Sequence, residues 1–387
     1  MSVLVHGARK VDVDGITHDF WLLTAADRIA AVGTGDSWRT ALGGLAALPG
    51  AVDVIDAEGA WLTPGFIDLH AHGGGGHAFD DGADAIRSGL AVHRAHGTTR
   101  SVVSLVANPP HVLTASLDAI ARLAAQDPLV LGAHLEGPFL APGRAGAHDP
   151  EFLGVPTRHV LRQLLEAGEG RLVQVTIAPE LPGALDAIAT FVESGVVVAV
   201  GHTDAPLEIA RAAFDRGATL LTHAFNAMPG IHHREPGPLT AAFDDPRVTL
   251  ELIADGVHVH PAVVDLAFRA APGRIALITD AMAAAGAGDG DYRLGSLEVR
   301  VDDEGRATLP DGTLAGSTLT LDAALRTAVA AGVDPVAAVT ALTATPARVL
   351  GRPDLGALRP GLLADLVLLA PDFTVQRVYA AGTPLPL

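Results

Sequence analysis

The chain has 387 residues, 49% of them apolar, and no cysteine. That length suits one large domain with a smaller one, the core needs no disulfide, and any transition metal must be held by imidazole and carboxylate. Acidic residues outnumber basic ones 44 to 26, and a formal charge of −18 argues against nucleic acid or an anionic membrane surface as partner.

The N-terminal MSVLVHGARKVDVDG lacks the apolar stretch of a secretion signal, and no run approaches the ~18 apolar residues of a membrane span. A soluble, cytoplasmic protein is expected. Residues 1–61 hold short strand-like runs broken by turn signals (VDVDG, AVGTG, VDVIDAEG), and residues 347–387 have the same character. Both termini are therefore expected to build one small β-sandwich domain. Residues 62–346 alternate apolar, β-branched runs with helical stretches such as DAIRSGLAVHRAHG and APLEIARAAFDRG. Eight runs stand out: WLTPGFIDLHAH, TTRSVVSLV, LVLGAHLEGP, LVQVTIAP, VVVAVGHT, ATLLTHAFNAM, TLELIADGVHV and RIALITDA. Near-continuous apolar runs joined by helices predict parallel strands covered on both faces, and eight such units predict an α/β fold, a (β/α)8 TIM barrel. Residues 291–313 read as a hairpin inserted after the eighth strand.

In such a barrel the chemistry sits at the C-terminal ends of the strands. The first run ends in His70 and His72, the third in Glu136, the fifth in His202, the sixth in His223, the seventh in His258 and the eighth in Asp280. Alternate residues of a strand share a face, so His70 and His72 point together into the barrel mouth. Glu136 can share a metal with them, and His202 and His223 complete a second site. These donors suit Zn²⁺, with Fe²⁺, Mn²⁺ or Co²⁺ as substitutes. Beside such a centre, Asp280 can take a proton from an attacking water and return it to a leaving amine. His93, His96, His111, His159, His232 and His260 lie away from the strand ends and are expected to be structural.

The segments PGFIDLHAHGGGG, HLEGPF, GAHDP, GHTDA, THAFNAMP, REPG, ADGVHV, TDA and LAGS occur in the order found in N-acetylglucosamine-6-phosphate deacetylases of the amidohydrolase superfamily, which the chain resembles over nearly its whole length. That resemblance implies hydrolysis of an acetylated amino-sugar phosphate in amino-sugar catabolism and cell-wall recycling. It makes Glu136, His202 and His223 the main metal ligands, with one or two ions per subunit, and Asp280 the acid/base. Ala147 and His148 line the substrate, His148 polarising the acetyl carbonyl. Asn226, Ala227, Leu314, Ala315 and Gly316 are further substrate contacts. Arg234 and His258 hold the phosphate, Arg234 reaching across from the partner in a homodimer. Some relatives replace the first-strand histidine pair and use a single metal; here His70 and His72 are both present.

Three other readings compete. Amidohydrolases that bridge two metals with a carbamylated lysine need a lysine in the barrel, whereas Lys10 is the chain's only one. A barrel kept only as a scaffold is expected to have lost a ligand or Asp280, and none is missing. A deacetylase for N-acetylgalactosamine 6-phosphate would keep every motif.

Overall fold

The computed structural model describes residues 2–44 and 52–387. Eight parallel strands follow one another in sequence order around a barrel: Phe66–Ala71, Thr98–Leu105, Val130–Glu136, Leu172–Ile177, Val197–Val200, Leu220–Leu221, Thr249–Ile253 and Ile275–Ile278. Each of the eight runs picked out in the sequence contains one of them. Every residue of Thr98–Leu105 and of Val130–Glu136 is buried, the signature of strands covered by helices outside and filled within. The circle closes where the first strand meets the eighth: Asp280 N donates to His70 O at 2.8 Å and His72 N to Ala281 O at 2.7 Å. That closure sets Asp280 beside the histidine pair.

The helical stretches form as their periodicity predicts, Ala83–Ala95 and Leu207–Asp215 among them. Each ends two residues before a glycine with positive φ, Gly97 at 91° and Gly217 at 101°, the left-handed position that terminates a helix without a Cβ clash.

The two termini meet in one small β domain. Strand Leu366–Leu369 pairs antiparallel with Trp61–Pro64, which in turn lies beside the long first strand Ser2–Asp12. Val3, Phe20, Leu22, Leu62, Leu366 and Leu368 pack into a common core. The run WLTPGFIDLHAH thus serves two sheets. Trp61–Pro64 belongs to the terminal domain, and the barrel begins after Gly65, four residues beyond the boundary expected from the sequence. A side chain at Gly65 would stand 2.2 Å from Thr99 Oγ1, so the chain crosses between sheets where only glycine fits. At the other boundary, helix Ala344–Val349 runs across the expected edge at residue 346. The inserted segment is a three-stranded antiparallel unit, Gly290–Leu294, Leu297–Val301 and Ala307–Thr308.

An ion pair joins the barrel to the strands of the C-terminal segment. Arg100, on the second barrel strand, donates from Nε at 2.6 Å and from Nη2 at 3.0 Å to Asp365, which also accepts from the Ala381 backbone N–H at 2.7 Å. Arg100 is 2% exposed and Asp365 4%. Removing one member leaves a buried charge without its partner, which costs about 3–5 kcal/mol. Asp365→Ala is therefore expected to lower unfolding free energy in urea by that amount; a loss below about 1 kcal/mol would mean that water replaces the carboxylate.

Candidate active site

Several ligand-bearing strand ends leave the sheet with a sharp turn. His202, His223 and Asp280 have φ of 46°, 25° and 49°, conformations that cost non-glycine residues about 1–3 kcal/mol each. These turns bring all three side chains to the mouth. The loop that carries His148 presses against them: a Cβ on Gly146 would stand 3.2 Å from His202 Cε1.

Glu136 is the centre of the arrangement. Its Oε1 lies 3.0 Å from His223 Nε2 and 3.1 Å from His202 Nε2. Its Oε2 lies 3.1 Å from His72 Nε2, 3.4 Å from His70 Nε2 and 3.2 Å from His148 Nε2. Asp280 Oδ1 is 3.5 Å from both His70 and His72. Burial alone would raise the Glu136 carboxyl, but the surrounding imidazoles outweigh it and hold the group well below the usual range. Burial likewise works against a charged His70, and Glu136 and Asp280 reverse the balance and raise it.

The donor set fits a cation. His70, His72, Glu136 and Asp280 have their ligand atoms within 4.8 Å of one another. The paired nitrogens His70–His72 and His202–His223 are each 3.0 Å apart, close to the roughly 3.3 Å edge of a tetrahedron drawn around zinc at 2.0–2.1 Å. Second contacts orient two of the rings. His202 Nδ1 donates to Arg144 O at 2.7 Å, and His70 Nδ1 faces Glu251 Oε2 at 3.3 Å, so both Nε2 atoms face the centre.

Glu136, His148 and His202 also have ligand atoms within 4.8 Å of one another, but His148 is the weaker ligand. Its Nδ1 accepts the Ala107 backbone N–H at 3.1 Å, so the neutral ring carries its proton on Nε2 and has no lone pair there. Burial pushes this imidazole down to about 4. That leaves His148 a hydrogen-bond donor toward Glu136, and His223 Nε2, 3.0 Å from both Glu136 Oε1 and His202 Nε2, the candidate third ligand.

A cavity of about 420 Å³ opens above this cluster, ample for a hexose phosphate. Of the residues singled out in the sequence, His72, Glu136, Ala147, His148, His202, His223, Asn226, Ala227, His258, Asp280, Leu314 and Gly316 line it. His70 lies beneath it, with no exposed surface, and Ala315 is buried behind its wall in the core of the inserted hairpin. Arg234 lies outside the cavity, in the exposed segment 231–235, where its guanidinium donates to His233. A larger cleft of about 910 Å³ beside the hairpin contains none of the ligand residues; the chemistry, not the volume, marks the site.

His258 is not at a strand end, because the seventh strand stops at Ile253. A turn brings it in: Asp255 Oδ1 accepts the Val257 and His258 backbone N–H groups at 2.8 Å, and Oδ2 accepts His258 Nδ1 at 2.6 Å. Burial disfavours its charge, but the Asp255 carboxylate more than offsets this and raises the imidazole, which stands at the cavity edge. His93, expected to be structural, is buried and bonds the Gly73 carbonyl at 2.8 Å.

The sequence reading missed the layer below the ligands. Asp68 accepts from Thr279 Oγ1 at 2.6 Å, His134 bridges Ser104 and Thr176 at 2.9 Å each, and Gln174 donates to Glu251 at 2.8 Å. The available signal was the two-residue spacing: Asp68 and His134 precede ligands His70 and Glu136 by two and share their inward face.

A (β/α)8 barrel whose mouth gathers five imidazoles and two carboxylates offers the donor set that a hydrolytic metal centre uses. The chain belongs to the amidohydrolase family, whose model matches residues 61–385. It is 42% identical to an N-acetylgalactosamine-6-phosphate deacetylase of Escherichia coli O157:H7 over 89% of this chain and 93% of that protein. It is 36% identical to an N-acetylglucosamine-6-phosphate deacetylase of Vibrio furnissii, over 85% and 84%. Among solved structures, an N-acetyl-D-glucosamine-6-phosphate deacetylase of Mycobacterium smegmatis in complex with N-acetyl-D-glucosamine-6-phosphate superposes with a TM-score of 0.91 at 42% identity, covering 100% of this chain and 99% of that one.

Proposed function

We propose that this chain hydrolyses the acetamide of N-acetyl-D-glucosamine 6-phosphate, giving D-glucosamine 6-phosphate and acetate in the cytoplasm, in amino-sugar catabolism and cell-wall recycling. The observation that carries the chemistry is Glu136 standing between two imidazole pairs, with Asp280 3.5 Å from one of them. The substrate is supported by the activities named for the relatives and by His258, its imidazole raised by Asp255, in a cavity of sugar-phosphate size.

Glu136, His202 and His223 would hold one divalent cation, and His70, His72, Glu136 and Asp280 a second. Zn²⁺ suits these donors best, with Fe²⁺, Mn²⁺ and Co²⁺ as substitutes. A cation there supplies Lewis acidity to the amide carbonyl and makes water more acidic. Asp280 takes a proton from the attacking water and delivers one to the departing nitrogen. His148, neutral and protonated on Nε2, donates to the carbonyl oxygen as negative charge develops. Asn226, Ala227, Leu314 and Gly316 line the space around the sugar. His258 holds the phosphate together with Arg234, whose planar fork suits phosphate oxygens. The exposed position of Arg234, outside its own cavity, supports its reaching the site of a partner in a homodimer.

The 42% identity to a galactosamine-type deacetylase supports a second reading, in which the epimeric N-acetylgalactosamine 6-phosphate is preferred. Acetate release from the two phosphates, measured side by side with zinc-loaded protein, decides between them. The larger kcat/KM is expected for the glucosamine compound, and the reverse order would transfer the assignment to its epimer.

A further inference from the structure

The floor of the site contains an acid that the mechanism above does not use. Glu251, on the seventh barrel strand, has no exposed surface. Its Oε2 lies 3.3 Å from His70 Nδ1, and its Oε1 accepts from Gln174 Nε2 at 2.8 Å. His70 is on the first strand and Gln174 on the fourth, so the contact chain crosses the barrel interior. As a metal ligand the imidazole must be neutral, with a single N–H. With Nδ1 facing a carboxylate, that proton belongs on Nδ1 and the lone pair on Nε2. Nε2 is the atom 3.0 Å from His72 Nε2, 3.4 Å from Glu136 Oε2 and 3.5 Å from Asp280 Oδ1.

We propose that Glu251 is a positioning residue that turns His70 into a ligand and so sets the affinity of the second cation site without affecting the first. The first site has its own orienting contact, His202 Nδ1 to Arg144 O at 2.7 Å, and none of its ligands touches Glu251. The inference rests on the reading that His70, His72, Glu136 and Asp280 hold a cation.

Glu251→Gln tests it at nearly constant volume. The Gln174 N–H draws the new amide oxygen to the place of Oε1, which turns the amide NH2 toward His70 Nδ1. His70 must then accept at Nδ1 and carry its proton on Nε2, where the cation needs a lone pair. The readout is zinc bound per chain, by atomic emission, after dialysis against buffers of graded free Zn²⁺. Wild-type protein is expected to bind two ions. In the variant the second is expected to bind about 10–100-fold more weakly, the usual effect of losing an outer partner of a metal-bound histidine, and the first as before. A purely structural role would not separate the two ions in this way. Two ions held at wild-type affinity by the variant would overturn the proposal. A wild-type protein that stops at one ion in saturating zinc would instead overturn the reading of the quartet as a cation site, and the proposal with it. Should Glu251→Gln fail to fold, Gln174→Met removes the donor that aims Glu251. The same selective weakening is expected there, and unchanged affinity for both ions overturns the proposal.

Discussion

Asp280→Asn is expected to leave a folded protein that still binds zinc through Glu136, His202 and His223, while turnover falls by at least about 10²–10⁴-fold, the usual contribution of a positioned acid/base. Asparagine keeps the shape of the side chain and the backbone bond from residue 280 to His70 O, 2.8 Å in the present structure. It cannot accept the proton of the attacking water. Because Asp280 Oδ1 also lies 3.5 Å from His70 and His72, the variant is expected to hold its second ion less firmly, so metal content and turnover should be measured on the same samples. Near-normal turnover would remove Asp280 from the proton transfer.

Glu136→Gln is expected to fail differently, by losing metal. The carboxylate faces five imidazoles within 3.0–3.4 Å and is the one group common to both ligand sets. An amide has one acceptor oxygen and turns an N–H toward the other side, so at least one histidine pair meets a donor where it met an acceptor. Both ions should bind more weakly, by more than the about 10–100-fold typical of an outer-sphere loss. Activity should fall in parallel and recover only in part at high zinc. The comparison with Asp280→Asn is informative because one variant keeps the first ion without turnover and the other loses both together. A Glu136→Gln protein with full metal content would contradict the assignment of Glu136 as the shared ligand.

How much of this was legible in the sequence depended on whether the cause was local. The candidate ligand cluster was visible because His70, His72, Glu136, His202, His223 and Asp280 end or directly follow apolar runs, and strand alternation decides which way such residues point. The strand character of both termini was visible from composition, but the split of WLTPGF was not: it reads as one apolar run, and only the close approach of Thr99 to Gly65 divides it between two sheets. His258 read as the end of a strand, whereas Asp255 stops the strand early by capping the turn with its side chain. Glu251 was invisible for a different reason. It is one polar residue in an apolar run, and the histidine it orients lies 181 residues away in sequence. Local patterns report which face a residue occupies; only closure of the barrel brings its partner to it. Arg234 has the same limit one level higher, since its proposed target would belong to another subunit.

The most direct test of the central claim is acetate release by zinc-loaded protein from N-acetylglucosamine 6-phosphate and from unphosphorylated N-acetylglucosamine, with the free amine measured in the same samples. The account predicts equimolar acetate and amine from the phosphate, and a kcat/KM at least about 100-fold lower for the free sugar, equivalent to about 2.7 kcal/mol of lost phosphate binding. No acetate from the phosphate would contradict the deacetylase reading, and equal rates on the two sugars would leave the hydrolase but contradict a phosphate site at His258 and Arg234.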